Sequence, residues 1–174
     1  VRPSPIAGTW YEGNKETLAR VVDNFLNNAQ LPALDGEVIG VIAPHAGHQY
    51  SGAVAGYAFA VIKELKPDLV AVISPFHNYS NHPLLTTAHD AYGTPLGRIE
   101  VDKSAMAELS SHLDIPITPV FADKEHSLEI ELPFLQRALN NEFKLLPIMI
   151  RAQEVDVAKK LGLALAKVLK DKNA

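Results

Sequence analysis

Two apolar runs in this chain end in the same way: "VIGVIAPH" closes on His45 and "LVAVISPFH" on His77, each a β-branched stretch, a proline and then an imidazole. If the runs are neighbouring parallel strands, about 4.8 Å apart, both leave the sheet at one edge and the two histidines can converge on a single cation. A second concentration of titratable groups, Lys124-Glu125-His126-Ser127-Leu128-Glu129-Ile130-Glu131, sets a histidine among carboxylates. Read as a helix, it puts Glu125 and Glu129 one turn apart and His126 beside Glu129 at i, i+3. A histidine so surrounded is tuned toward protonation and suits the work of an acid, a base or a ligand. Plainer readings stand beside these: His45 and His77 as hydrogen-bonded loop residues, the glutamate run as solvated surface charge.

The loop after the first run, "APHAGHQYSG", adds His48, Tyr50 and Ser51 as pocket candidates and has Gly47 and Gly52 for close backbone approach. It matches neither the phosphate loop GxxxxGK[ST] nor GxGxxG, although free N–H groups at a helix start near Ser51 would favour an anion. His82, His89 and His112 read as exposed or structural. Trp10-Tyr11 reads as a packing anchor for the N-terminal arm.

These residues need elements to position them. Leu18, Val21, Val22, Phe25 and Leu26 recur at helical spacing from Asn14 to about Gln30, with Asn14 as N-cap. Glu37 to Ala43 reads as a buried strand. Ser51 caps a helix running through Leu65, whose small residues Gly52, Ala53, Ala55, Gly56 and Ala58 would let it lie close against a sheet. Leu69 to Ser74 is a second buried strand, which makes a βαβ unit. Leu84 to Ala88 and Ile99 to Val101 are short strands around turn chemistry in "YGTPLGR". Asp102 caps a helix to about Leu113, and Ile115 to Phe121 is a proline-interrupted edge segment. A helix starts near Lys124 and is kinked or restarted by Pro133. Lys144 to Ile150 is a strand and Glu154 to Lys170 an amphipathic helix. The alternation predicts an α/β fold, a mostly parallel sheet flanked by helices in one domain over 1–174.

The totals narrow the function. At 174 residues, 47% hydrophobic and 21% charged, the chain is of ordinary globular composition. A formal charge of −4 with no Lys/Arg cluster argues against a nucleic-acid surface. There is no cysteine, so a metal must be held by histidine, carboxylate or backbone oxygen, and a cytoplasmic location is expected. No run approaches the roughly 18 apolar residues of a membrane span, and the first residues lack a basic-then-apolar signal pattern, so neither a membrane span nor export is expected.

"AGTWY" at 7–11, "APHAGHQYSG", "SPFH" at 74–77, "TPLG" at 94–97 and "EHSLEIELPFL" at 125–135 together resemble the Memo family, also called AmmeMemoRadiSam system protein B, in order and in spacing. The family is similar in fold to the LigB-like class III extradiol dioxygenases, which open catechol-type rings with non-haem Fe(II) and O2. The resemblance implies metal ligation by His45 and His77, with Fe(II) or another divalent metal, and a place for His126 in the same pocket. Catalytic roles then fall to His126 in proton transfer and to Glu125 or Glu129 in orienting it. It also implies a radical-SAM partner. A small-molecule or peptide ligand fits either such an oxidoreductase or a non-enzymatic binding module.

Memo-like proteins run on for roughly another hundred residues, through an "SSDxSH" strand end and a later cysteine or acidic third ligand. The expectation is therefore a fold incomplete at the C-terminus, in a truncated chain or a shortened relative, catalytically incomplete as it stands. An exposed sheet edge and self-association through it are expected too.

Overall fold

The computed structural model describes residues 1–139 and 141–174. Helix α1, Lys15–Asn28, opens where the Asn14 side chain accepts from the Thr17 N–H, and buries Leu18, Val22 and Leu26 on one stripe. Helix α2, His48–Ala60, is followed by strand β1, Leu69–Pro75. Next come β2, Leu84–Thr87, and a hairpin of β3, Ala91–Thr94, with β4, Gly97–Glu100. Helix α3, Lys103–Ser111, is capped by Asp102; β5 is Ile117–Val120, and a 3-10 turn over Glu129–Glu131 leads into α4, Leu132–Ala138. Strand β6, Lys144–Ile150, and helix α5, Val155–Leu169, complete the order.

The four-stranded sheet runs β1-β6-β2-β5, with β1/β6 and β2/β5 parallel and β6/β2 antiparallel. Helices flank it, as an α/β fold requires. On β6 the period of two divides the core: Leu145 and Met149 face one cluster with Phe59, Leu132 and Phe134, while Leu146 and Ile148 face another with Leu109, Leu161 and Leu165. The first cluster is roofed by α1, α2 and α4, the second by α3 and α5.

Three expectations need correction. Residues 37–43 form no strand, and no backbone hydrogen bond joins them to β1 among the described residues. Val38, Val41 and Ala43 turn toward the core, whereas Ile39 and Ile42 are 93% and 98% exposed. An extended segment with one face on a core has the same apolar signature as a strand, but the ladder needs a partner edge, and a cleft separates this segment from β1. The βαβ unit is therefore absent, and the sheet is mixed.

The second correction is the start of α2, where Gly47 rather than Ser51 is the N-cap residue; the Ser51 hydroxyl donates back to Ala46 O. Its small residues lie against α1, not a sheet: a Cβ on Gly56 would stand 2.5 Å from the Phe25 carbonyl oxygen. The third is that no helix starts near Lys124. Residues 121–126 are irregular because their backbone is tied to side chains, and α4 begins at Leu132 with Pro133 in its first turn, where a missing N–H costs nothing. The hairpin also leaves only Pro95 and Leu96 to the turn, with the residues on either side in strands.

Candidate metal centre

His45 ends the extended segment ahead of α2, His77 follows β1, and His126 sits in the loop before the 3-10 turn. Three separate elements thus deliver one imidazole each. Ring centroids are 5.3 Å apart for His45–His77, 4.6 Å for His77–His126 and 6.1 Å for His45–His126. One nitrogen from each ring lies within 4.8 Å of the others. The strand pairing expected to bring His45 and His77 together is missing, and they meet nonetheless, because β1 and the 37–44 segment still run out to the same end of the molecule.

Glu125 organises this cluster. Its carboxylate accepts from the His77 N–H at 2.6 Å, the His126 N–H at 2.8 Å and the Ser127 N–H at 3.0 Å, and pairs with His77 Nδ1 at 2.8 Å. Burial works to raise this carboxyl, but those donors together outweigh it and bring it down to about 2. An ionised Glu125 places the proton on His77 Nδ1 and leaves Nε2 with a free lone pair. His126 Nδ1 lies 3.2 Å from the same Oε1. Burial lowers the proton affinity of His45, and repulsion between His45 and His77 when both are protonated adds to it; burial lowers that of His126 too, against the pull of Glu125. Both imidazoles are thereby biased toward the neutral form that can donate a lone pair.

The other candidates fall elsewhere. Glu129 is fully buried on the far side of its turn, where it takes Arg2, the Ser4 hydroxyl and, at 2.9 Å, the Tyr11 hydroxyl. His48 is in the core, its Nε2 3.1 Å from Ile130 O and its ring among Tyr11, Phe25 and Phe134. Tyr50 projects into solvent, and Ser51 is spent on its own helix turn.

Sequence reasoning passed over Arg2. This side chain is 1% exposed, bonds Asp123 at 2.7 Å, also reaches Glu129 and Glu125 O, and stacks over the Tyr92 ring at 5.0 Å. It pins the loop that carries Glu125 and His126. Its signal was the unmatched acidity of Asp123, Glu125 and Glu129, which a buried fold must neutralise with a partner from somewhere else in the chain. Trp10 also joins the site, its ring 4.2 Å from that of His126.

A family model described as Memo-like protein matches residues 2–174. Among curated relatives, the MEMO1 family protein of Nitrosopumilus maritimus is 33% identical, with 99% of this chain and 65% of its own length covered. That of Pyrobaculum aerophilum is 34% identical over 98% of this chain and 63% of its own. A MEMO1 family protein of Aquifex aeolicus is likewise 34% identical, covering 100% and 64%. The chain therefore spans a little under two thirds of the length of these relatives.

Proposed function

The chain belongs to the Memo-like protein family, and from that premise we propose that His45, His77 and His126 hold a divalent cation, Fe(II) or one like it. The observation that carries the reading is the mutual approach of three imidazole nitrogens within 4.8 Å. Ligands about 2.1 Å from one ion stand roughly 3.0–3.4 Å apart, so binding would draw the rings together by more than an ångström. The donor set fits: imidazole nitrogen suits iron, zinc, copper and nickel rather than calcium or magnesium. The Glu125–His77 pair fits as well, since a ligating histidine commonly donates its other N–H to a carboxylate that fixes its tautomer.

A bound ion would supply Lewis-acid polarisation of a substrate oxygen. The chain's own residues do the rest. Glu125 stays ionised and aims His77, and neutral His126, its Nδ1 beside the same carboxylate, has one lone pair to give, which the ion would take. Trp10 covers one side of that ring and limits water. Oxidative opening of a catechol-type ring, as in the extradiol dioxygenases the family resembles, is the reaction class proposed for such a site. Glu125 and Glu129 are both engaged in hydrogen bonds of their own, so the set in this chain is three nitrogens rather than two histidines and a carboxylate.

Metal content of the purified protein tests the proposal, with His45→Ala/His77→Ala as the control. The double variant is expected to fall to background; unchanged content in it ends the reading. The open edge of β1 and the exposed Ile39 and Ile42 beside it support a further element of the proposal, self-association on that side of the molecule.

A further inference from the structure

We infer that the arm over residues 2–11 is a positioning element for the imidazole cluster: Arg2 holds the loop that carries Glu125 and His126, and Trp10 ties that loop to the start of α2, three residues after His45. The inference rests on the proposed metal site and names the part of the chain that assembles it.

The arm is fixed at its root. The Arg2 N–H donates to Ala91 O at 2.7 Å and the Arg2 carbonyl accepts from the Gly93 N–H at 2.9 Å, so the backbone pairs with β3 across Tyr92. From there the guanidinium enters the interior, where Nε meets Asp123 at 2.7 Å and the other nitrogens reach Glu129 and the Glu125 carbonyl. Asp123 in turn accepts from the Glu125 N–H at 2.9 Å. Both backbone polar groups of Glu125 are thus held, one by Arg2 directly and one through Asp123. The carboxylate they aim is the one that gathers His77 and His126. Residues 121–126 have no helix or strand of their own to fix them, and a charged, forked donor supplies that constraint.

The far end of the arm makes the second contact. Gly8, at φ +80°, lets the chain reverse, and the Gly8 and Trp10 N–H groups close the turn on Tyr11 O and Ile6 O. The Trp10 carbonyl then accepts from the His48 N–H at 2.9 Å. That N–H is one of those a helix start leaves unpaired, and the N-cap residue, Gly47, makes no side-chain bond to the turn. A Cβ on Gly47 would stand 3.3 Å from the Trp10 carbonyl oxygen, so glycine there admits the close approach. The Trp10 ring meanwhile lies 4.2 Å from that of His126. One residue therefore touches the carriers of two imidazoles, His126 by its ring and the helix start after His45 by its carbonyl. Between root and tip the Ser4 and Tyr11 hydroxyls both bond Glu129, which Arg2 also holds. An arginine that served stability alone would cost stability when replaced; one that positions the cluster costs metal affinity as well.

The test combines Zn(II) affinity, by competition with a chromophoric chelator, with acrylamide quenching of Trp10, the one tryptophan of the sequence, in metal-free protein. Arg2→Met and Arg2→Lys are compared with Leu165→Ala, a control in the other core cluster that destabilises the fold without touching the arm. Arg2→Met is expected to bind Zn(II) about 10–100-fold more weakly than the parent. Arg2→Lys should recover part of that, since it keeps the charge and loses the fork, and Leu165→Ala should bind as the parent does. Quenching in Arg2→Met should rise by up to about 2.5-fold, the ratio of a fully open ring to one 39% exposed. A folded Arg2→Met with parental Zn(II) affinity, or an equal loss of affinity in Leu165→Ala, would overturn the inference. Should Arg2→Met not fold, Arg2→Lys decides by the same two measurements: parental affinity in it rules against the arm. If the unaltered protein binds no Zn(II), the metal-site reading falls and quenching alone judges the arm; a Trp10 signal indifferent to the replacement of Arg2 then overturns this inference too.

Discussion

A guanidinium out of contact with water is costly unless its donors are matched, and Arg2 meets that condition with Asp123, Glu129 and the Glu125 carbonyl. Truncation would leave two carboxylates buried without a counter-ion. Arg2→Ala is therefore expected to cost about 3–5 kcal/mol in chemical denaturation, and Arg2→Lys to recover only part, because an ammonium cannot reproduce the fork that spans Asp123 and Glu129. Glu125 carries a different kind of consequence. It is a positioning residue: its carboxylate gathers three backbone N–H groups and one imidazole. Glu125→Gln keeps the size but forfeits the charge that fixes His77. On the proposed metal site, affinity should drop by about 10–100-fold in competition with a chromophoric chelator. A variant that folds and binds metal as tightly as the parent would remove Glu125 from that role.

At the scale of elements, what the sequence made legible depends on whether the signal is local. Helices α1, α3 and α5 and strands β1, β2 and β6 lie where period and capping residues put them, since Asn14 and Asp102 bond their own helix starts and the apolar run of β6 is buried along most of its length. Segments 37–43 and 121–128 were not legible in this way. Whether 37–43 is a strand depends on an edge elsewhere, and the second segment is shaped by a distant arginine; periodicity carries neither fact. The small residues of α2 signal close packing but not its partner, and the contact is helix on helix. This gives a specific expectation. Gly56→Ala drives a Cβ to within 2.5 Å of the Phe25 carbonyl, backbone that cannot swing aside, so α1 and α2 must part. A loss of about 1–3 kcal/mol in thermal or denaturant unfolding should follow. Gly162→Ala on α5, where nothing lies within 4 Å, should instead stabilise by roughly 0.5–1 kcal/mol through helix propensity.

For the whole molecule the balance of buried acid and buried histidine sets how stability varies with pH. Glu131 has its affinity for the proton raised by burial to about 8 from an ordinary value of 4.5, so the folded state retains a proton that the unfolded chain releases. Its contribution is complete below pH 4.5 and declines as pH rises through 8. The histidines oppose this. His45, His48 and His126 are all depressed from 6.5 by burial first, so below that value the unfolded chain binds more protons than the folded one, and stability climbs with pH up to 6.5. Above it their effect is spent, and Glu131 alone governs the slope to pH 8, a loss of about 2 kcal/mol over that span. Denaturant unfolding at a series of pH values should thus give a maximum near pH 6.5. Glu131→Gln, which cannot ionise, should hold a level plateau from there to pH 8. A variant that still loses stability across that window would show that this buried carboxyl is not the group responsible.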